Sequence, residues 1–182
     1  MKKAFTLVEL LIVIAILGIL GVGLLIALDP LEQTRRASDT TVQQSGIEVK
    51  DAINRYFASK LVFPWCDPLS AAGTCSYEGT SCFDDEAPQG NFGDGGSCAG
   101  FVINQLLTTG ELKNTPPSKI AEVLNLYTRS SGTEFTVTFN PVSKAFDSDL
   151  KTLYIDQACT APAINDPPSC NTSGNDCYYC LK

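Results

Sequence analysis

The chain has 182 residues, 44% of them hydrophobic and 18% charged, with eight cysteines, no histidine and a formal net charge of −7. That length holds one domain of ordinary size plus an extra element. The acidic balance excludes a whole-surface footprint for nucleic acid, and the lack of histidine excludes a Ser/His/Asp catalytic set.

Residues 10–28, LLIVIAILGILGVGLLIAL, run for nineteen positions without a charge. At about 1.5 Å per helical residue they span roughly 28 Å, close to the hydrocarbon thickness of a bilayer. The run is apolar on every face, which predicts a lipid-embedded helix rather than a half-buried one. Gly18, Gly21 and Gly23 are of the kind membrane helices tolerate, and Gly18 and Gly21 are not spaced as a small-xxx-small pair. A secretory signal peptide would be shorter and would end in a small-residue cleavage site. Here Asp29, Pro30, Leu31 and Glu32 follow instead. Lys2 and Lys3 favour an N-terminus on the cytoplasmic side, and Arg35 and Arg36 beyond the run weaken that bias without reversing it.

Glu9 stands at the head of this apolar run. A carboxylate in hydrocarbon is costly, so it either snorkels to the headgroups or meets a cation within the membrane. The segment around it, Lys3-Ala4-Phe5-Thr6-Leu7-Val8-Glu9-Leu10-Leu11-Ile12-Val13, closely resembles the processing motif of type IV pilins and type II secretion pseudopilins. The resemblance implies a membrane peptidase that cuts between Ala4 and Phe5 and methylates the new Phe5 amine. It also implies that Glu9 meets the terminal amine of a neighbouring subunit. An unpaired buried charge is penalised strongly, so such a pair suits the fixing of register more than the adding of stability. The family usually has glycine before the cut; alanine is the next smallest residue, and processing is still expected. The leader carries two lysines, so its removal makes the net charge two units more negative than −7.

Pro30 cannot donate its N–H and is expected to kink or interrupt the helix near Leu28 or Asp29. Beyond it Val42, Val49, Ile53, Tyr56 and Phe57 recur at helical spacing. This reads as a helix from about residue 5 to 61, its second half packed on a head, with Pro64 ending it. The expected organisation is a leader at 1–4, a transmembrane and polymerisation helix at 5–29, an amphipathic continuation at 30–62 and an extracytoplasmic head at 63–182. Residues 64–100 hold three prolines, seven glycines, four cysteines and six carboxylates, with no lysine or arginine. That is too long for an ordinary connector and reads as a stapled surface loop. Asp84, Asp85, Glu86 and Asp94 are weak calcium candidates, because the order of an EF-hand loop is absent. Helices are expected at about 101–112 and, capped by Ser118, at 118–128. Alternation over 133–139 predicts a strand, with 152–157 as its antiparallel partner. The fold class is α+β: a long N-terminal helix packed on a small antiparallel sheet, with a disulfide-rich head. The pilin head implied by the resemblance has the same architecture.

The cysteines form two groups, Cys66, Cys75, Cys82 and Cys98, then Cys159, Cys170, Cys177 and Cys180. Their even number and extracytoplasmic setting predict disulfides. Eight cysteines allow 105 pairings, or nine if bonds stay within groups. A structural zinc site is disfavoured, since only Cys177 and Cys180 have C-x-x-C spacing. As a redox pair they would be expected at a helix N-terminus, whereas Cys180 lies two residues from the last position.

No cofactor, metal or catalytic residue is expected. The chain reads as a structural subunit of a type IV pilus-like filament, a homo- or hetero-polymer with other pilins, served by prepilin peptidase and the inner-membrane assembly machinery. The location expected is the cytoplasmic membrane, with the N-terminus inside and the head outside, then a surface or periplasmic filament. Alternatives are a secretion pseudopilin, a minor pilin acting as an adhesin or DNA-uptake binding module, and an anchored thiol oxidoreductase using Cys177 and Cys180.

Overall fold

A computed structural model describes residues 5–66, 90–93, 98–129, 134–147, 152–157, 159–160, 162–163 and 177–181; the side chains of 25–28, 98 and 147 are outside this description. The chain divides into two compact units, Met1–Arg35 and Arg36–Lys182.

In the first unit, helix α1 (Leu7–Leu28) is the apolar run foreseen in the sequence. Its large hydrophobic side chains lie uncovered on every side, from Val13 at 48% exposure to Leu7 at 80%. A Cβ added at Gly18, Gly21 or Gly23 would meet nothing within 4 Å. The helix stops at Asp29, which takes the left-handed conformation (φ 37°), and helix α2 (Pro30–Lys60) begins with proline at its first position. Asp29 serves both ends: its carbonyl accepts from the N–H groups of Glu32 and Gln33 at 3.1 and 3.3 Å, and its Oδ1 accepts from Glu32 N at 3.3 Å. The expected single helix over 5–61 is therefore two, broken where proline withholds a donor.

The second unit is an α+β head. Along α2, Val42, Val49, Ala52, Ile53 and Tyr56 are buried, a stripe set by the 3.6-residue period. Leu61 closes the helix at φ 61°, with its N–H on the Phe57 carbonyl at 2.7 Å. A stacked aromatic run follows: Phe57 on Phe63 at 4.5 Å and Phe63 on Trp65 at 4.7 Å, with Phe135 edge-on to both Phe63 and Trp65. Strand β1 (Gly90–Asn91) precedes helix α3 (Cys98–Thr108), whose Ala99, Val102, Ile103 and Leu106 enter the core. Helix α4 (Ser118–Ala121) leads into strand β2 (Leu124–Arg129), followed by β3 (Glu134–Phe139), a short helix α5 (Lys144–Asp147), β4 (Leu153–Tyr154) and β5 (Tyr178–Leu181). Among the described residues these five strands form one antiparallel sheet in the order β1-β2-β3-β5-β4.

Two expectations fail here. The helix foreseen at 118–128 ends at Ala121, and Leu124, Leu126 and Thr128 alternate into the core as a strand, opposite Phe139, Val137 and Phe135. Among the described residues, 152–157 do not pair with the strand foreseen at 133–139, of which 134–139 are described. Only Leu153 and Tyr154 are strand, and they pair with β5, which lies between them and β3. The helix expected over 101–112 starts earlier, at Cys98, and ends at Thr108, before Gly110 at φ 79°.

The close contact between α2 and the sheet is at Gly46. A Cβ there would collide with Leu181 Cδ1 of β5 and come within 3.0 Å of Leu124 Cδ2 and 3.7 Å of Val137 Cγ1. A second tie is Asp39, only 2% exposed, whose carboxylate accepts from the N–H of Val142 (3.1 and 3.2 Å) and of Ser143 (2.8 Å) at the start of α5. A third is Gln43, whose side-chain amide donates to the Tyr179 hydroxyl at 3.0 Å.

Candidate functional site

The start of α1 carries the chemistry singled out by the sequence. Thr6 is the N-cap, in extended backbone, and forms a reciprocal capping box with Glu9. The Thr6 N–H and hydroxyl both donate to Glu9 Oε2, at 2.9 and 2.8 Å, and the Glu9 N–H donates to Thr6 Oγ1 at 3.3 Å. Two otherwise orphaned helix donors are thereby satisfied, and the negative charge sits at the positive end of the helix dipole. Oε1 of Glu9 carries no hydrogen bond among the described residues. Phe5, next to this cap, is 76% exposed. Ala4 lies outside the described residues.

Sequence reasoning missed the role of Thr6, although the Thr6-x-x-Glu9 spacing ahead of an apolar run is itself the capping-box signal. It also missed Gly46 and Asp39, which no local pattern marks.

Of the cysteines, Cys159 and Cys180 form a disulfide within the second group, and Cys66 and Cys177 are each disulfide-bonded. The Cys177/Cys180 pair is accordingly not a C-x-x-C dithiol, because Cys180 is bonded to Cys159 across 21 positions of sequence. That removes the redox-enzyme reading of this pair. Cys75, Cys82 and Cys170 lie outside the described residues, as does the Cys98 side chain. The calcium candidates Asp84, Asp85, Glu86 and Asp94, and most of the 64–100 loop, lie outside them too.

Helix α1 contains an 18-residue stretch, Leu7–Leu24, long and apolar enough to cross a membrane. The structure supplies an exposed apolar helix and an α+β head with an antiparallel sheet, and the N-terminal motif supports a type IV pilin-like protein. The family model for the prokaryotic N-terminal methylation motif matches residues 1–25, and this is the prepilin-type signature of type IV pilins and pseudopilins. The match ends inside α1 and does not extend to the head. Neither a curated protein nor a solved structure matches the chain. The motif implies membrane association and polymerisation with other pilins.

Proposed function

We propose that the chain is a structural subunit of a type IV pilus-like filament, held in the membrane by α1 until it is assembled through that same helix. The observation that carries this reading is α1 itself: apolar and exposed on every face, and headed by the prepilin motif. A surface of that kind is stable in lipid or against copies of itself, and in neither case does it serve catalysis. In this reading a prepilin peptidase cuts between Ala4 and Phe5 and methylates the Phe5 amine. The N-terminus faces the cytoplasm, and the head lies outside.

Glu9 is the proposed registration contact. Thr6 supports the carboxylate in the free subunit through one oxygen, and the amine of a neighbouring Phe5 is its counter-charge in the filament. A subunit seated out of register leaves that charge unpaired in low dielectric, which disfavours every register but one.

Mass spectrometry of the mature chain tests the processing step. The expected result is a start at Phe5 with a methylated amine, and a chain starting elsewhere refutes it. Glu9→Leu tests assembly: filament yield and length are expected to collapse while the subunit still accumulates in the membrane. Normal fibres from that variant would overturn the assembly role of Glu9.

A further inference from the structure

The pairing register divides the sheet into two faces. Leu124 and Leu126 of β2, Val137 and Phe139 of β3, and Tyr179 and Leu181 of β5 share the face toward α2, where Gly46 meets Leu124, Val137 and Leu181. The alternate residues, Asn125, Thr136, Thr138 and Cys180, point the other way. In a head with helices on one side of an antiparallel sheet, that outer face ordinarily meets water. Here Thr138 is fully buried and Cys180 is 9% exposed.

Three ties hold a segment against this face. Cys159 is disulfide-bonded to Cys180, the Thr136 hydroxyl donates to the Gln157 carbonyl at 3.1 Å, and Pro162 bridges back to Tyr154 on edge strand β4. The described residues of 155–162 thus lie as a strap on the outer face. Its turn is closed by Asp156, whose carboxylate accepts from the Thr160 N–H at 3.1 Å and the Thr160 hydroxyl at 2.7 Å.

Two features oppose this closure. Among the described residues the buried Thr138 hydroxyl has no hydrogen-bond partner, and Cys159 is held in the left-handed region at φ 57°. Opening the strap rehydrates the first and relaxes the second. The disulfide works against both. It also acts on the sheet, because Cys180 belongs to β5, the strand through which β4 joins β3.

We propose that Cys159–Cys180 is a redox latch: it holds the strap closed and β5 inside the sheet, so that strap, β4 and β5 open as one unit when it is reduced, while β2 and β3 stay paired. Opening is a two-electron reduction by a dithiol. One thiolate of the reductant attacks a sulfur of the pair to give a mixed disulfide, and its second thiolate then displaces the remaining protein sulfur. Cys159 and Cys180 leave as thiols carrying the reductant's two protons, and the reductant becomes the disulfide. A disulfide oxidant reverses every step. Both cysteines are less than one-tenth exposed, so the reductant reaches them only through a transient local opening of the strap, which reduction then makes persistent for strap, β4 and β5 together.

Hydrogen exchange read by mass spectrometry on the full chain in detergent micelles tests this. In a Cys159→Ser/Cys180→Ser double variant, amides in 153–157 and 177–181 are expected to lose protection by on the order of 100-fold, the scale for opening a loop of this length. Amides in 124–129 are expected to stay within about threefold of wild type. In an oxidised Thr138→Val variant, which removes the unpartnered hydroxyl and keeps the shape, protection over 177–181 is expected to rise about 10-fold. Three results would overturn the latch. One is wild-type protection of 177–181 in the double variant, which would mean the Cys177 disulfide suffices to hold β5. Another is loss of 124–129 by the same factor as 177–181, including outright failure to fold. The third is a Thr138→Val chain whose 177–181 protection is unchanged or lower.

Discussion

Replacing Gly46 by alanine sets two known effects against each other at the point where α2 crosses the sheet. Alanine is the better helix former by about 1 kcal/mol, so an exposed glycine at mid-helix would gain stability from the change. At Gly46 the new Cβ would stand 3.0 Å from Leu124 Cδ2, inside the ordinary contact distance of about 3.5–4.0 Å, and closer still to Leu181 Cδ1. Leu124 is fully buried and Leu181 is 5% exposed, so neither side chain has solvent to retreat into. Overpacking of this kind costs about 1–3 kcal/mol, more when the backbone has to shift. The clash is therefore expected to win. Gly46→Ala should lose about 1–2 kcal/mol, a fall in Tm of about 3–6 °C for a head of this size, and Gly46→Val should lose more. Urea and thermal unfolding of the full chain in detergent, followed by the fluorescence of the single tryptophan, Trp65, gives the readout; that residue is 2% exposed in the core beneath the same helix. Gln44→Ala on the exposed side of α2 is the neutral control. The steric cause has its own check: in a Leu181→Ala background most of the loss should disappear, because the worst clash is gone and Leu124 Cδ2, still 3.0 Å from the new Cβ, can give way into the vacated space. A Gly46→Ala chain as stable as wild type, or one equally destabilised in both backgrounds, would refute the reasoning.

Further outcomes follow from other residues of the head. Asp39→Ala leaves the Val142 and Ser143 N–H groups without their acceptor and should cost on the order of 3 kcal/mol, while Asp39→Asn, which keeps one acceptor oxygen, should lose less than half of that by urea unfolding. Leu61→Gly should raise stability by about 0.5–1 kcal/mol, since Leu61 sits at φ 61° with 56% of its surface exposed and has more strain to lose than contact. Burial pushes the Tyr56 phenol above its ordinary value of 10.0, so the native state resists its ionisation. Its contribution is therefore complete below pH 10.0 and is lost as pH rises through the raised native value; Tyr56→Phe should flatten that alkaline part of the stability profile.

How much of this was readable from the chain depended on whether the determining contacts were local. Helix α1 was legible because nineteen uncharged positions leave one structure for a bilayer. Strand β3 was legible because Phe135, Val137 and Phe139 alternate with polar residues over its whole length. Strand β2 was concealed: Ile120, Val123, Leu124 and Leu126 satisfy a helical spacing behind Ser118, and the helix does begin there, although Ser118 is its first residue and the N-cap is Pro117, which makes no side-chain cap bond. What ends it after one turn is pairing with β3, which buries Leu124, Leu126 and Thr128 together, aided by the approach of Gly93 to Glu122. Strand β5 is four residues long and reaches β3 from about forty positions away, so no window of sequence contains both partners. Its disulfide to Cys159 was one of several pairings the spacing allowed.

The same distinction between local and non-local partners sharpens the account of Glu9. Read from sequence, a carboxylate at the head of an apolar run looks unsatisfied until a second subunit arrives. The capping box changes the starting point, because Thr6 already gives Oε2 two donors within the subunit. Both of those bonds use one oxygen, and Oε1 remains open among the described residues. In the proposed filament an amine arriving at Oε1 would add to the cap instead of displacing it, so the free subunit keeps a tolerable resting state without surrendering the incentive to pair. On this account Thr6→Ala should leave filament register intact while making the unassembled subunit less stable in the membrane, whereas Glu9→Leu should remove register itself. The two variants separate a residue that supports the charge from the charge that selects the neighbour.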